Sequence, residues 1–390
     1  MELSLIKFIR ENGLDAAVEK FKLTVRDGKH KILLKYSQID SPMGFSETQD
    51  ARGLIIEKET LRVMCLPFYK FFNAGEGNAA KINWDDALIL EKLDGSLLTI
   101  YYDRFIDEWC VSTTGTLEAD GEVNNKPGTT FAQLFWDTIG KLPGKFHGVG
   151  KMSAVERTEH LNQFLNKDFC FAFELTTPYN IVVTPHGTSS ATLLTIRNVE
   201  HLNELSYEYL VLTSVELDVP VVQAFDIKAM SAADLEKTLI DMPWSEEGYV
   251  VVDDNFNRIK IKNPAYLAVH HLKGKTAEHN IMEIIKTNEV DEFVATFEER
   301  RIEVYDLLLK FQILKLNLET IEEHLKPYLP INNSKEEIKM HALKVFEITN
   351  ENNLPQFTGL FFALRSGKVS TVSDFLRGFD NKQLYNILNS

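Results

Sequence analysis

Apolar positions divide this chain before anything else does. Within residues 2–20, Leu3, Ile6 and Ile9, then Leu14, Ala17 and Val18, recur at helical spacing with Gly13 as a break, which predicts two short helices. The pattern then shortens. Runs at 31–36, 53–56, 61–66, 87–90, 97–102, 109–114, 169–175, 181–183, 191–196, 207–212, 248–252 and 258–262 are rich in β-branched and aromatic residues and predict strands. Helical periodicity interrupts them at 131–141, 154–165 and 231–240. Residues 1–270 therefore read as α+β, antiparallel sheets with flanking helices.

From about residue 271 the periodicity is helical, in Met282-Glu283-Ile284-Ile285, in 293–317 and in 341–346. Pro327 and Pro330 interrupt this part, and Ser334 ahead of Glu336-Glu337 predicts a helix cap. A second, all-helical domain over 271–390 is expected. No internal repeat or low-complexity segment is evident.

Composition narrows the class. With 390 residues, 44% hydrophobic and 25% charged, the chain is long enough for two or three ordinary globular domains. A net charge of −15 argues against a broad, non-specific nucleic-acid surface, though a local basic groove is compatible with it. Cys65, Cys110 and Cys170 are isolated on strand-like segments, and core positions are expected. No run approaches the roughly 20 apolar residues of a membrane helix. The start, Met1-Glu2-Leu3-Ser4-Leu5-Ile6-Lys7, lacks the pattern of a signal peptide, so the cytoplasm is expected.

The candidate chemistry begins with Glu91-Lys92-Leu93-Asp94-Gly95-Ser96, a polar hexapeptide joining two apolar strands. An ammonium between buried strands is costly unless partners wait for it. Gly95 permits a tight turn with positive φ. Lys92 would stand at the mouth of a pocket, and an amine held among other cations becomes a nucleophile near neutral pH; a solvated hairpin lysine is the alternative.

Glu174 closes the aromatic run 169–173, an unusual place for a carboxylate without a role, with a buried ion pair as the alternative. Lys260 and Lys262, two apart on one strand, point to the same face of a predicted hairpin whose other strand follows Glu247. Such a face suits a polyphosphate and a metal ion, or is simply an edge strand guarded by lysines. Arg52 precedes a strand and Lys70 lies among aromatics in Phe68-Tyr69-Lys70-Phe71-Phe72-Asn73; each either aims at a phosphate or snorkels from a core face.

Two features carry little. Gly274-Lys275-Thr276 resembles the end of a phosphate-binding loop, but Val269 occupies the first glycine position and no strand leads into it. His270 and His271 are neighbours facing different ways on a helix, which disfavours a shared metal.

The order Lys-x-Asp-Gly-Ser, strand-borne Phe-Glu, Glu-Gly-Tyr-Val and Lys-x-Lys resembles the covalent nucleotidyltransferase superfamily of ATP-dependent ligases and mRNA capping enzymes. Within it, 35–44, Ala51-Arg52-Gly53-Leu54 and Lys70-Phe71-Phe72-Asn73 are similar to the bacteriophage RNA ligase 1 family, which repairs cut transfer RNA. The likeness runs to about residue 270. It implies a nucleotidyltransferase (ATP-grasp-like ligase) domain over 1–270, with a helical domain over 271–390 expected to bind RNA such as tRNA.

By that resemblance Lys92 attacks the α-phosphorus of ATP, expels pyrophosphate and holds AMP as a phosphoramidate. Glu91 lies beside the adenine, Lys260 and Lys262 contact the α-phosphate, and Glu247 holds Mg2+, with Mn2+ able to substitute. Glu174 contacts the sugar or the metal. Arg52 and Lys70 bind phosphate with Phe72 packed beside them, while Asp94 and Gly95 complete the lysine motif, the Asp supporting transfer to RNA. The family often carries a basic residue near Thr113-Thr114-Gly115-Thr116; here there is none, and Thr114 stays outside the expected site.

The implied partners are ATP and an RNA with 5′-phosphate and 3′-hydroxyl ends, with no membrane, and a monomer in the cytoplasm of the host if the gene is a phage's. Arg365, Lys368 and Arg377 are candidate phosphate contacts in the tail. A DNA ligase or a capping guanylyltransferase would follow the Lys-x-Lys strand with a small β-barrel, whereas this tail reads as helix. A catalytically silent RNA-binding protein of the same fold is the alternative from another class.

Overall fold

Three mainly antiparallel sheets carry the first of two units into which the chain divides, Met1–Lys273 and Gly274–Ser390. The structure is a computed structural model and describes residues 2–267, 281–288, 290–296, 300–330 and 334–389. The motifs at 270–271 and 274–276 lie outside the described residues.

The two N-terminal helices, α1 (Ser4–Asn12) and α2 (Leu14–Phe21), form as the spacing predicts and bury Leu5, Ile6, Ile9, Ala17 and Phe21. They cover a four-stranded sheet of β1 (Leu23–Asp27), β2 (Lys31–Tyr36), β3 (Arg52–Glu57) and β4 (Val63–Cys65) in that order. Asp50, the last residue of a short helix Ser46–Asp50 that precedes β3, accepts the Leu5 amide of α1 at 3.0 Å. Burial pushes its carboxyl up to about 7, against the pull of that bond.

The second sheet runs β10-β9-β7-β8, from β7 (Ser96–Asp103), β8 (Glu108–Thr113), β9 (Phe169–Thr176) and β10 (Ser190–Asn198). Phe135, Phe146 and Phe173 interlock beneath it, ring edge to ring face, with Leu98, Ile100 and Leu175. Each such buried side chain contributes about 1.5–3 kcal/mol. The third sheet runs β11-β6-β12-β13-β5. Its strands are β5 (Phe72–Asn73), β6 (Leu88–Glu91), β11 (Ala224–Phe225), β12 (Gly248–Val252) and β13 (Arg258–Lys262), and only β13 with β5 is parallel.

Three expectations need correction. The runs on either side of Lys92 are strands, but not a hairpin: β6 pairs with β11 and β12, while β7 pairs with β8 and β9. The segment 92–95 carries the chain from one sheet to another. Residues 181–183 form no strand; the amides of Val183 and Thr184 are taken up by the Asp94 carboxylate, at 2.9 and 2.6 Å. The run 207–212 is the start of a helix, Tyr207–Leu217, which buries Leu210, Ser214 and Leu217 and leaves Tyr209, Leu212 and Val215 in solvent. Its β-branched and aromatic content favours strand, but spacing of four and then three places one face on the core, and tertiary packing decides.

The second unit is helical throughout its described residues. Its long helix Arg301–Leu325 buries Val304, Leu307, Phe311, Leu314, Leu318, Ile321 and Leu325, a stripe at helical period. Lys335–Glu351 packs against it, opened by a capping box in which Ser334 accepts the Glu337 amide and Glu337 answers the Ser334 amide. Arg365, Lys368 and Arg377 are exposed, and Arg377 pairs with Asp374 at 3.3 Å.

Candidate active site

A cleft of about 370 Å³ opens where the three sheets of the first unit meet. Lys92 enters it because the chain leaves β6 there: the Glu91 amide donates to Gln223 at 2.9 Å and the Lys92 amide to Gly248 at 3.0 Å, so backbone bonds grip the turn on both sides. Gly95 ends the turn. A Cβ on it would stand 2.6 Å from the Leu175 carbonyl oxygen and 3.1 Å from Glu174 Cγ. Gly95 does not have positive φ, contrary to expectation; it is needed because the turn presses directly on β9.

That close approach sets Lys92 beside two carboxylates. Its ammonium is in contact with Glu247, and both side chains are largely buried. Glu174 projects from β9 into the same cleft. Burial pushes its carboxyl up to about 8, with Lys92 and Arg52 pulling down and Glu247 and Asp94 pushing up. The first neighbour of Lys92 is thus an anion.

Ladder register supplies the next pair. Val250 stands opposite Lys260 and Gly248 opposite Lys262, so both lysines reach the cleft on the strand next to the one that Glu247 opens. Glu91 lines it as well, its carboxyl raised by burial and by Glu246. Arg52 opens β3 and lines the cleft with its guanidinium 5.5 Å from the Phe68 ring and 4.7 Å from the Phe71 ring. Burial lowers it, while Tyr36 and Glu174 pull it up.

Three predicted residues stand elsewhere. Asp94 is buried, its carboxylate on the 183–184 amides, and its carbonyl accepts His186 Nε2 at 2.8 Å, so it anchors a loop and does not line the cleft. Lys70 and Phe72 line a neighbouring cavity of about 200 Å³, where the Lys70 ammonium lies 5.3 Å from the Tyr36 ring and 5.2 Å from the Phe72 ring.

The cleft also holds residues not anticipated. Arg258 precedes Lys260 and Lys262 at the same alternating spacing, a signal that was available in the sequence. Its guanidinium binds Glu204 at 2.6 and 2.8 Å. Thr114 lines the cleft as a neutral residue, and Lys35 lines it beside Tyr36 and Gln38. Lys35 opens the 35–44 stretch that carries the family resemblance, but that resemblance gave it no role.

Two carboxylates suit a magnesium ion, which is commonly held by one or two carboxylates with substrate phosphates and water as the remaining ligands. Among the described residues no three His, Cys, Asp or Glu side chains gather as a metal site. An ion held by Glu174 and Glu247 would therefore depend on the substrate for the rest of its shell.

A family model describing RNA ligases, of the T4 RNA ligase 1 type, matches residues 50–266, more than half of the chain and the whole span from Arg52 to Lys262. The chain belongs to the bacteriophage RNA ligase 1 family. An RNA ligase of Rhodothermus phage RM378 is 25% identical over 306 residues, 64% of this chain and 66% of the phage protein, so the chain spans just under two thirds of that relative. Looser likenesses include an archaeal ATP-dependent RNA ligase, 11% identical over 88% of this chain and 78% of its own, at a TM-score of 0.42. A Naegleria gruberi RNA ligase solved with ATP and Mn is 17% identical over 47% of this chain and 51% of its own, at 0.32. At these scores neither carries weight beside the family match. Among the described residues no helix is long and apolar enough to cross a membrane.

Proposed function

We propose that this protein is an ATP-dependent RNA ligase that works through a covalent lysyl-AMP on Lys92. The observation that carries the reading is the contact of Lys92 with Glu247 in a cleft to which the adjacent strand brings Lys260 and Lys262. The neutral Lys92 amine attacks the α-phosphorus of ATP; its bond to nitrogen forms as the bond to the bridging oxygen breaks and pyrophosphate departs. Lys260 and Lys262 hold the α-phosphate oxygens, where positive charge stabilises the crowded phosphorus. Glu174 and Glu247 would hold a magnesium ion, which supplies charge neutralisation on the phosphates.

AMP then passes to the 5′-phosphate of an RNA end, and attack by a 3′-hydroxyl seals the strand and releases AMP. The chain's part is placement and charge complementarity. We read the division of labour as adenylyl transfer in the domain over 1–270 and RNA binding in the helical domain over 271–390, with Arg365, Lys368 and Arg377 on phosphates and a cleaved tRNA anticodon loop as substrate. Arg365 and Lys368 are exposed, as such contacts require.

The test is incubation with α-labelled ATP and magnesium, comparing the intact protein with Lys92→Ala. Covalent label on the intact protein alone is the expected result. Label on neither would remove the ligase reading and leave an RNA-binding protein of this fold, while label from GTP alone would point to a capping-type enzyme.

A further inference from the structure

A fourth lysine, Lys35, reaches the Lys92 cleft from the β1–β4 sheet, beside a bulge in β3. Strand β2 runs in register with β3 from Lys31 opposite Glu57 to Leu34 opposite Leu54, and there the ladder slips: Lys35 stands opposite Arg52 and Gly53 is left over. The extra residue lies on β3, and a bulge bends the strand that carries it, here beside Arg52. Gly53 has φ +75°, and a Cβ on it would lie 2.9 Å from the Thr114 Cα, so the bulge is pressed onto the chain just past β8 with no room for a side chain. Plain alternation would send Lys35 and Tyr36 to opposite faces. Both line the cleft, and Lys35 Nζ comes within 3.6 Å of where a Cβ on Gly115 would stand.

The polarity of the cleft indicates what this cation meets. Leu90 and Val250, paired across β6 and β12, line it together with Leu194 and Val222, a surface suited to a flat apolar base. Lys92 follows that surface by two residues. With the base there and the α-phosphorus at Lys92, the outer phosphates fall to cations from another sheet. Arg52 and Lys35 line the cleft from the β1–β4 sheet, facing each other across the β2–β3 ladder.

Resting on the ligase reading above, we propose that Lys35 is a further substrate-binding residue, which together with Arg52 holds the pyrophosphate that leaves when Lys92 is adenylylated. In that step nitrogen bonds to the α-phosphorus and the bond from phosphorus to the bridging oxygen breaks. The electron pair goes to pyrophosphate, and the surplus proton on nitrogen leaves with it. Charge grows on the leaving group, so a cation fixed beside it favours the transition state in both directions.

The experiment uses the full chain and two variants, Lys35→Met, which keeps the length of the side chain, and Lys35→Arg, which keeps the charge. Three rates are compared: labelling from α-labelled ATP, release of AMP from the labelled enzyme by added pyrophosphate, and sealing of an RNA already carrying a 5′-adenylate, which needs no pyrophosphate. For Lys35→Met the expected result is a fall of about tenfold or more in the first two, with a matching rise in the pyrophosphate needed for half-maximal release. Sealing of the adenylated RNA stays within about twofold, and Lys35→Arg recovers most of the loss.

Unchanged labelling and release in Lys35→Met would overturn the assignment of Lys35 while leaving the ligase reading intact. An equal loss in all three rates, not recovered by Lys35→Arg, would mark Lys35 as structural and overturn it too. Absence of label on the unaltered chain would instead sink the ligase reading itself.

Discussion

Two walls of the cleft are built by different means. The wall of β6, β12 and β13 is a plain ladder, with Val250 opposite Leu90 on one side and Lys260 on the other, and register alone brings Lys92, Glu247, Lys260 and Lys262 together. The wall of β2 and β3 depends on an irregularity: the slip at Gly53 sets Lys35 opposite Arg52, whose guanidinium lies over the Phe68 and Phe71 rings. A regular ladder places several side chains at once through many shared backbone bonds, whereas a bulge can be moved by one methyl group. The proposed nucleophile, Lys92, sits on the first kind of wall, and the cations proposed for the departing group sit on the second.

Two glycines break these walls separately. Gly95→Ala puts a methyl 2.6 Å from the Leu175 carbonyl oxygen and must lift the Lys92 turn off β9. A shift of about 1 Å at a reacting atom can cost about a hundredfold in rate, so labelling of Lys92 falls by that order, with a stability loss of about 1–3 kcal/mol in denaturant titration. Labelling at the full rate would show that the turn can yield without moving the nucleophile. Gly53→Ala strains a left-handed residue and meets the Thr114 Cα at 2.9 Å. Here the effect is smaller, roughly tenfold on labelling, and sealing of adenylated RNA is nearly spared. Equal damage to both steps would mean that the second wall serves the entire reaction.

The same contrast governs what was legible in the sequence. Lys92 stands out because a charged turn separates two apolar runs, Lys260 and Lys262 because a period of two fixes their face, and Glu174 because a carboxylate ends an aromatic run. All of these are local patterns. Which sheet each strand joins is not local, so β6 and β7 read as a hairpin although they belong to different sheets. Lys35 opens the 35–44 stretch that carries the family resemblance, but its place opposite Arg52 follows from a bulge at Gly53 of β3, pressed against Thr114 some sixty residues away, so nothing in 31–36 by itself gives it a role. Asp94 belongs to the lysine motif, yet its carboxylate holds the loop at 183–184, which the sequence presents as a strand. Helix Tyr207–Leu217 was obscured because residues of high strand propensity occupy its outer face.

Glu174 joins the two walls electrostatically, since Lys92 from one and Arg52 from the other both pull its carboxyl down while burial holds it up at about 8. In the unfolded chain the same group titrates near 4.5. Between these values the folded protein holds a proton that the unfolded chain has lost, so the stability linked to Glu174 is fully present below pH 4.5 and is lost as pH rises through about 8. Asp50, at about 7 when folded, adds a decline of the same sign over a narrower window. Urea titrations of the nucleotide-free protein from pH 5 to 9 are expected to show stability falling, by up to about 1.4 kcal/mol per pH unit for each proton involved. Glu174→Gln removes one proton from that slope and leaves the Asp50 part, which ends near pH 7. A slope unchanged by Glu174→Gln would mean that Lys92 and Arg52 already keep the carboxylate charged in the folded protein.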